Sequence, residues 1–431
     1  MKSPPPSRRW MLKSLAATGL FPWISPPLQA RTIKRVKIVV IGGGFGGATA
    51  ARFAKRLLPQ AHVTLVEPQP SYVACPFSNL VIAGLRPISA QTFGYAALRR
   101  EGIEVIPSRA RDVDPAARKV TLAEHAGTQQ KIHYDKLIVA AGIDFRWQAI
   151  PGYNESATPV MPHAWRAGEQ TLALRQQLQA MPENGLAVIA IPAAPFRCPP
   201  GPYERASLVA SFLKQHKPKA KLLLLDSNEQ FSKQGLFLQA WQTHYGNLIE
   251  WRSPAEDGLL RTVDPARMTL NTDFESIQAD VANVIPPQQA ARICTRAGLT
   301  DASGWCPVQP LDFSSSQVPD IHVLGDATIA APMPKSAFSA NAQAKLAALQ
   351  IARNLLDEPL LPTTLANTCY SFTTPNTAIS VSGVYTNDEQ KLASISGAGG
   401  TSPMDAAEEF QRRESNQARA WFQAITTEAF A

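Results

Sequence analysis

The sequence VKIVVIGGGFGG occupies residues 36–47, where a run of branched apolar residues leads directly into a glycine-rich turn. The apolar run predicts a buried parallel strand, and residues 48–58 after the turn have the composition of a helix. Gly42, Gly44 and Gly47 have the spacing that permits a tight turn, close approach of a pyrophosphate and close helix–strand contact. The pattern therefore predicts a phosphate group at the N-terminus of that helix.

The residues that follow complete a βαβ unit. Residues 63–67 predict the second strand, which ends on Glu67, 20 residues after Gly47. A carboxylate at this position accepts hydrogen bonds from ribose hydroxyl groups. Because strand, helix, strand and acid occur in this order, we predict a dinucleotide-binding domain rather than an isolated glycine turn.

Two later motifs favour FAD over NAD as the dinucleotide. Residues 136–142, KLIVAAG, resemble the strand and glycine turn that close the first FAD segment in flavoproteins with two dinucleotide folds, with Gly142 in the turn. Residues 321–327, IHVLGDA, resemble the second FAD motif of those proteins, in which the Asp, here Asp326 after Gly325, binds the ribityl chain. The N-terminus of the following helix would stabilise negative charge on the flavin.

A second βαβ unit is predicted in the middle of the chain, with strands at 186–191 and 222–226 and a helix over 206–215. In NAD(P)H-dependent relatives the first turn of this unit is glycine-rich, but residues 192–202 here read PAAPFRCPPGP. Proline has no N–H to offer a phosphate, and its fixed φ is incompatible with such a loop. We therefore expect that the nicotinamide site is lost and that electrons reach the flavin from a donor other than NAD(P)H.

The first thirty residues resemble a twin-arginine export signal. Arg8 and Arg9 stand before the residues WMLK, a modestly apolar stretch covers residues 14–24, and residues 28–30, LQA, fit a cleavage site. The apolar stretch is shorter than the ~20 residues that span a bilayer. The sequence thus predicts a removable signal and a periplasmic protein without stable membrane insertion.

Composition and charge exclude several classes of protein. The chain has 431 residues, of which 45% are hydrophobic and 18% charged, so it is neither disordered, collagen-like nor a coiled coil, and it is long enough for two or three domains. The net charge is +8, and residues 1–30 carry four of these charges with no acid, which leaves +4 for the remainder. No dense run of basic residues contains interleaved aromatics, so nucleic acid is not an expected partner.

The cysteines leave several interpretations open. None shows Cys-x-x-Cys or Cys/His metal-ligand spacing, so no metal site is predicted. Thiols in an oxidising compartment tend to pair, and an odd number leaves at least one unpaired. The residues alone do not show which of them pair, and buried inert cysteines are an equally good interpretation. The five are Cys75, Cys198, Cys294, Cys306 and Cys369.

Long strings of residues resemble the flavoprotein subunit of flavocytochrome c sulfide dehydrogenase, in the FAD-dependent pyridine nucleotide-disulfide reductase-like superfamily. The most specific is RCPPGPYERAS at residues 197–207, and GWCPV at 304–308 and PMPKS at 332–336 agree with it. The similarity runs from about Arg35 to the C-terminus. It implies an α/β fold with two Rossmann-like dinucleotide-binding domains of the glutathione-reductase type and a small C-terminal α+β domain.

The domain boundaries follow from the motifs and the resemblance together. We expect residues 31–148 and 281–355 to form a discontinuous FAD-binding domain, and residues 149–280 to form the second dinucleotide-like domain without a working NAD loop. Residues 356–431 form a C-terminal interface domain, in which residues 379–385 alternate like a strand and residues 405–430 have the pattern of a helix.

The resemblance also implies the chemistry of the site. Family members oxidise sulfide in the periplasm and pass the electrons through FAD to a haem-bearing c-type cytochrome subunit. By their sequence contexts, Cys198 and Cys369 match the family's redox disulfide beside the flavin, and Cys75 matches the cysteine that carries FAD covalently. Pro76 and Phe77 differ from the family at the covalent site, so this match rests on the Cys-x-x-Ser-Asn spacing.

Glu204 matches a glutamate that is proposed as the active-site base in this family. A buried carboxylate with a raised pKa could take the proton from bound sulfide. The alternative is that Glu204 is an acid at the start of a helix, where the helix dipole favours it.

Two other functions are compatible with these motifs. A sulfide:quinone oxidoreductase has a similar fold, but its membrane-associated C-terminus contrasts with the mixed-charge residues 405–431 of this chain. A flavoprotein that is accessory to a thiosulfate-oxidising system would carry the same residues. The chain contains no Cys-x-x-Cys-His sequence, so any c-type haem belongs to a partner subunit.

Overall fold

The computed structural model describes residues 36–124, 130–388 and 390–431, which form the mixed α/β fold expected from the sequence. The predicted export signal and its cleavage site lie outside the described residues. The helices of these ranges are α1 (Phe45–Leu57), α2 (Ser78–Ile82), α3 (Ala96–Arg100), α4 (Glu169–Ala180), α5 (Gly201–His216), α6 (Gln234–His244), α7 (Arg292–Arg296), α8 (Ala337–Leu355) and α9 (Glu408–Phe430).

The strands of the N-terminal half are β1 (Lys37–Ile41), β2 (His62–Val66), β3 (Ser71–Val73), β4 (Thr92–Gly94), β5 (Glu104–Ile106), β6 (Ala110–Asp114), β7 (Lys119–Leu122), β8 (Lys131–His133), β9 (Lys136–Val139), β10 (Ile143–Phe145), β11 (Leu186–Ile191) and β12 (Lys221–Asp226). Those of the C-terminal half are β13 (Ile249–Arg252), β14 (Thr262–Asp264), β15 (Thr269–Asn271), β16 (Ser276–Gln278), β17 (Val281–Val284), β18 (Gln288–Ala290), β19 (Cys306–Pro307), β20 (Ile321–Val323), β21 (Thr328–Ile329), β22 (Thr364–Phe372), β23 (Ala378–Asn387), β24 (Leu392–Ser394) and β25 (Gly400–Thr401).

The first sheet is parallel and has the order β20-β9-β1-β2-β5. Its central strand β1 is buried after the first residue, because helices cover both faces of such a sheet. The strand β20 comes from far downstream and pairs with β9, with Ile321 opposite Leu137. The two FAD motifs are thereby brought to the same sheet edge, where ligands of open parallel sheets bind.

The second sheet is also parallel and has the order β13-β12-β11-β17. Its last strand β17 pairs with β11, with Val281 opposite Ala187. The chain therefore leaves this sheet only after Val284, a few residues beyond the boundary expected at residue 280. The boundary lies later because all four residues of β17 are buried and belong to the core of the second sheet.

Both helices that follow the glycine- and proline-rich turns begin earlier than the sequence predicted. Helix α1 begins at Phe45 rather than residue 48, so the last two glycines of the turn form its first helical turn. Helix α5 begins at Gly201 rather than residue 206, with a proline in its first turn. A proline there costs little, because the first helical N–H groups have no partner within the helix.

The C-terminal residues form an antiparallel sheet, β22-β23-β24 with β25 on β23, and the long helix α9. This helix buries Phe422, Ile425 and Phe430, and the ring of Phe430 stacks on those of Tyr72 and Phe93. Its apolar side is thus covered by the FAD domain. Across the described ranges, none of the helices combines the length and apolarity needed to cross a membrane.

The carboxyl end of α9 is fixed to α1. The buried guanidinium of Arg52 donates hydrogen bonds to the carbonyl oxygens of Thr427 and Glu428, at 3.1 and 2.7 Å. Arg52 also forms an ion pair with Glu101. A cation at a helix C-terminus is favourable because it satisfies carbonyl groups that lack a partner within the helix.

Candidate active site

The glycine turn after β1 leaves no room for side chains at two of its positions. Gly42 has φ +99°, and a Cβ atom there would lie 2.5 Å from the carbonyl oxygen of Ala140. A Cβ atom on Gly47 would lie 1.8 Å from the carbonyl oxygen of Gly42. Only glycine therefore fits these two positions of the turn. The backbone N–H groups at the start of α1 remain open to a phosphate.

A cavity of about 720 Å³ opens beside this turn. All but one of the site residues predicted from the sequence line it; the exception, Gly47, lies under the turn. The lining residues among them are Gly42, Gly44, Glu67, Cys75, Gly142, Cys198, Glu204, Gly325, Asp326 and Cys369. The FAD-binding domain, the second dinucleotide-like domain and the C-terminal domain therefore all contribute residues to one cavity.

The carboxylates of the cavity fit FAD. Glu67 follows β2 and accepts hydrogen bonds from the backbone N–H groups of Gly43 and Gln69, at 2.8 and 2.9 Å, which holds it at the ribose position. Asp326 has a buried oxygen, Oδ1, for which no hydrogen-bond partner exists among the described residues. Burial raises the pKa of Asp326. An orphaned buried carboxylate oxygen is costly, and a ribityl hydroxyl group would satisfy it.

Cys75 lies between β3 and α2, with its Sγ 3.9 Å from the carbonyl oxygen of Trp165. Trp165 also lines the cavity, and its indole N–H, although buried, has no acceptor in the part of the chain that the structure describes. His163 packs on Phe145, and its Nδ1 accepts a hydrogen bond from the backbone N–H of Trp165 at 2.9 Å. Burial lowers the pKa of His163 to about 3, which fits a structural role for its neutral ring.

Cys198 and Cys369 reach the cavity from different domains. Cys198 lies in the turn before α5 with φ +55°, and its N–H donates to the carbonyl oxygen of Lys335 at 2.8 Å. Cys369 lies in β22, where Asn367 donates its side-chain N–H to the Sγ at 3.3 Å. Both are free thiols in the structure. Burial raises the pKa of Cys198 well above its usual value, and the neighbouring Cys369 raises it further.

Glu204 lies in the first turn of α5 and also in the wall of the cavity, a position compatible with both interpretations that the sequence left open. Its Oε1 accepts from the N–H of Phe372 at 2.9 Å, and its Oε2 accepts from the Asn79 side chain at 2.8 Å. Burial raises the pKa of Glu204, although these two hydrogen bonds oppose the effect. A carboxylate with a raised pKa is a better proton acceptor than an ordinary one.

Sequence reasoning missed the polar groups that hold these residues. Arg205 is buried and donates to Asn79 Oδ1 at 3.0 Å, to Asn283 Oδ1 at 2.7 Å and to the backbone around His163. Arg205 follows Glu204 in the sequence string that resembles the family, and this position could have pointed to it. Lys233 is a second missed cation, and no motif marks it.

Three backbone amides of the loop that replaces the nicotinamide turn are already engaged within the protein. The N–H of Ala194 donates to Asn228, that of Arg197 to Gln288, and that of Cys198 to a carbonyl group, all within 3 Å. Asp226, which ends β12 where a ribose would bind, accepts from Tyr203, Trp251 and Asn228. A nicotinamide dinucleotide would have to displace these protein partners.

The described residues place no group of three or more His, Cys, Asp or Glu side chains where it could hold a metal ion. Cys294 and Cys306 are fully buried in the core, outside the cavity. Lys335 donates to the carbonyl oxygens of Asp326 and Thr328 and lies 3.8 Å from the ring centroid of Trp305. These hydrogen bonds hold the backbone of the second FAD motif in place.

Comparison with known proteins confirms the resemblance. Three family models match: sulfide dehydrogenase [flavocytochrome c] flavoprotein chain, central, over residues 171–286; flavocytochrome c sulphide dehydrogenase, flavin-binding, over residues 362–430; and pyridine nucleotide-disulphide oxidoreductase over residues 36–189. A 45-residue stretch is 56% identical to the sulfide dehydrogenase [flavocytochrome c] flavoprotein chain of Chlorobaculum thiosulfatiphilum, covering 10% of this chain and 94% of that sequence.

More distant similarity extends over most of the chain. The mitochondrial sulfide:quinone oxidoreductase of Mus musculus is 24% identical over 322 residues, which are 71% of this chain and 68% of that protein. The crystal structure of the sulfide:quinone oxidoreductase from Aquifex aeolicus superposes with a TM-score of 0.71 at 17% identity, covering 91% of this chain and 92% of that one. The latter similarity shows the fold.

Proposed function

We propose that this chain, which carries the central and flavin-binding segments of the flavocytochrome c sulfide dehydrogenase flavoprotein chain, oxidises sulfide and delivers the electrons to a c-type cytochrome. Relatives named for sulfide dehydrogenase and for sulfide:quinone oxidoreductase both support FAD-dependent sulfide oxidation. The observation that carries the proposal is the cavity, in which Cys198, Cys369 and Glu204 line the same space as Gly42 and Asp326.

The proposed reaction begins with a disulfide between Cys198 and Cys369. Hydrosulfide attacks one sulfur, a new S–S bond forms there, and the bond between the two cysteines breaks, so the other sulfur leaves as a thiolate. Glu204, with its raised pKa, takes the proton of the bound sulfide. FAD, when bound, supplies an acceptor that takes two electrons and gives them up singly, as a haem requires.

The cytochrome acceptor is the finer part of the proposal. A quinone acceptor is the second candidate, favoured by the similarity over 322 residues to a sulfide:quinone oxidoreductase. Helix α9 favours a cytochrome as the acceptor. Its apolar residues Phe422 and Phe430 pack internally, and its outer face carries the ion pair between Glu408 and Arg412. A helix with this surface suits water or a protein partner better than a bilayer. Periplasmic location, by the twin-arginine signal at Arg8 and Arg9, belongs to the same proposal.

An anaerobic titration of the flavin-loaded protein tests the donor. We expect sulfide to bleach the flavin absorbance, and equimolar NADH to leave it unchanged. Four of the nine residues at 192–200 are prolines without an N–H, and the amides of Ala194, Arg197 and Cys198 are already bonded within the protein. Dithionite in a third cuvette gives the absorbance of the fully reduced protein. Bleaching by NADH and not by sulfide would overturn the proposal.

The acceptor is tested by mixing the sulfide-reduced protein with either a c-type cytochrome or a water-soluble quinone. We expect the cytochrome to reoxidise the flavin over many turnovers and the quinone to do so at least about tenfold more slowly. The reverse order would establish the quinone-type enzyme. Reduction by sulfide without turnover on either acceptor would indicate the accessory role in a sulfur-oxidising system.

Cys75 is proposed to carry FAD through a covalent thioether bond, which the sequence context and its place in the cavity wall support. Acid precipitation should then leave the flavin colour in the pellet of the wild-type protein. In Cys75→Ser the colour should move to the supernatant, because a serine hydroxyl does not form this bond. Cys294→Ala is the matched control, because Cys294 is buried in the core and does not line the cavity, and it should keep its flavin in the pellet. Colour in the wild-type supernatant would exclude covalent attachment.

A further inference from the structure

Lys233 is a buried cation in the wall of the thiol site. Its residue is only 9% exposed, and its Nζ donates hydrogen bonds to the carbonyl oxygen of Cys369 at 2.9 Å, to Ser371 Oγ at 2.8 Å and to the carbonyl oxygen of Ile379 at 3.5 Å. All three acceptors are uncharged. The ammonium group is therefore held against the redox strand β22 without a bonded counter-ion.

A buried charge of this kind needs compensation, because transfer of an ammonium group from water to a protein interior is expensive when it is not paired. None of the ion pairs among the described residues involves Lys233. Its backbone is also strained, since Lys233 has φ +62° at the start of α6. Non-glycine residues in this conformation persist where the surrounding structure holds them, and they cluster at functional sites.

The groups that face Lys233 come from three directions. Cys369 lies on β22, Glu204 and Cys198 lie at the start of α5, and Glu414 lies on α9; all four interact electrostatically with the ammonium group. Burial lowers the pKa of Lys233 to about 8, so the group is protonated in neutral solution. Glu414 is already bound by Ser380 and Ser402 at 2.5 Å each. The charge of Lys233 is thus available to an anion at the thiol pair.

We propose that Lys233 is a positioning residue that makes Cys369 the leaving thiolate, so that sulfide attacks the sulfur of Cys198. This inference rests on the function proposed above. In the step, hydrosulfide forms a bond to Cys198 Sγ, and the electron pair of the Cys198–Cys369 bond goes to Cys369 Sγ. The hydrosulfide sulfur is oxidised to a persulfide, the Cys369 sulfur is reduced to a thiolate, and the proton passes to Glu204.

The surroundings of the two sulfurs favour a thiolate at Cys369 over a thiolate at Cys198. The Cys369 sulfur accepts a hydrogen bond from the Asn367 side-chain N–H at 3.3 Å, and the carbonyl oxygen of the same cysteine accepts one from Lys233 Nζ at 2.9 Å. Burial raises the pKa of both thiols, Glu204 raises both further, and Lys233 lowers both. The difference lies in the other neighbours: side-chain hydrogen bonds from Asn367 and Ser336 lower the pKa of Cys369, whereas the neighbouring Cys369 raises that of Cys198. Arg197 also faces Cys198, but its guanidinium is shared with the Asp326 carboxylate at 3.9 Å. The better leaving group is the thiol with the lower pKa.

The experiment measures how fast each cysteine is alkylated as a function of pH in the flavin-loaded protein, after reduction of the pair by a phosphine. Iodoacetamide is the probe, and mass spectrometry of the peptides separates Cys369 from Cys198. In the wild-type protein we expect Cys369 to react with a lower midpoint pH than Cys198. Lys233→Met keeps an unbranched side chain, one atom shorter, and removes its charge. It should raise the Cys369 midpoint by about one pH unit, a tenfold loss of thiolate below it.

Two variants control for a merely structural role. Lys217→Met removes another lysine that donates to a carbonyl group, that of Met181 at 2.6 Å, and should leave both midpoints unchanged. Lys233→Arg keeps the charge and should restore most of the low Cys369 midpoint. If Cys198 titrates below Cys369 in the wild-type protein, or if Lys233→Met leaves the Cys369 midpoint in place, the inference is wrong. Because no sulfide is used, this result is independent of whether sulfide reduces the flavin.

Discussion

Cys198→Ser is expected to abolish reduction of the bound flavin by sulfide while leaving the flavin in place. The substitution replaces one atom, sulfur by oxygen, in a residue whose N–H is already fixed to Lys335. A serine hydroxyl forms no disulfide, so hydrosulfide has no sulfur to attack. We expect the rate of sulfide-dependent bleaching to fall by at least about a thousandfold, as for loss of a covalent catalytic group.

Stopped-flow absorbance of the flavin measures this rate directly. Cys294→Ala is the matched control, because Cys294 is buried in the core and does not line the cavity, and it should bleach at the wild-type rate. Dithionite should reduce the flavin in all three proteins, which separates loss of the sulfide reaction from loss of the flavin. Sulfide-dependent bleaching of Cys198→Ser at the wild-type rate would show that the pair is not the point of attack.

Gly47→Ala is expected to produce a protein without FAD. The added Cβ atom would lie 1.8 Å from the carbonyl oxygen of Gly42, far inside contact distance. Because both atoms are tied to backbone, relief requires the turn to open, and the N–H groups that face the phosphates then move with it. We expect the flavin content of the purified protein to fall more than about tenfold, which overpacking costs of 1–3 kcal/mol readily produce.

Gly46→Ala is the sharpest comparison for this variant. The nearest atoms to a Cβ atom on Gly46 would be those of Ala140 and Ala340, at 3.6 Å or more, which is ordinary contact. The two variants add the same methyl group to adjacent residues of the same helical turn, so any general effect on α1 appears in both. The ratio of flavin to protein absorbance measures the outcome. Equal flavin content in the two variants would mean that the turn does not close on the pyrophosphate in the way proposed.

The dinucleotide fold could be predicted from sequence because its signals are local. The strand β1, the glycines and Glu67 all fall within about thirty residues, and each has a backbone reason that a sequence pattern expresses directly. The starts of α1 and α5 were both predicted too late, and the reason is the same for both helices. Glycine and proline lower helix propensity in an interior, but the first turn of a helix tolerates both.

The support of the site could not be predicted in this way. Lys233 and Asn79 act on residues that are more than a hundred positions away in the chain, and no spacing rule connects them. Arg205 stood in a recognisable string, yet its partners are a side chain on β17 and carbonyl groups before α4. Sequence patterns report which face of an element is buried, whereas these contacts depend on how domains meet.

The hydrogen bonds from Arg52 to α9 have a consequence for biosynthesis. The ribosome makes Arg52 375 residues before Thr427 and 376 residues before Glu428, so the helix that begins at the phosphate turn receives this partner late. The packing of α1 is therefore complete only after α9 has been made, although domains often fold as they emerge. We expect a truncation that removes these two residues to weaken the packing of the helix at the nucleotide site.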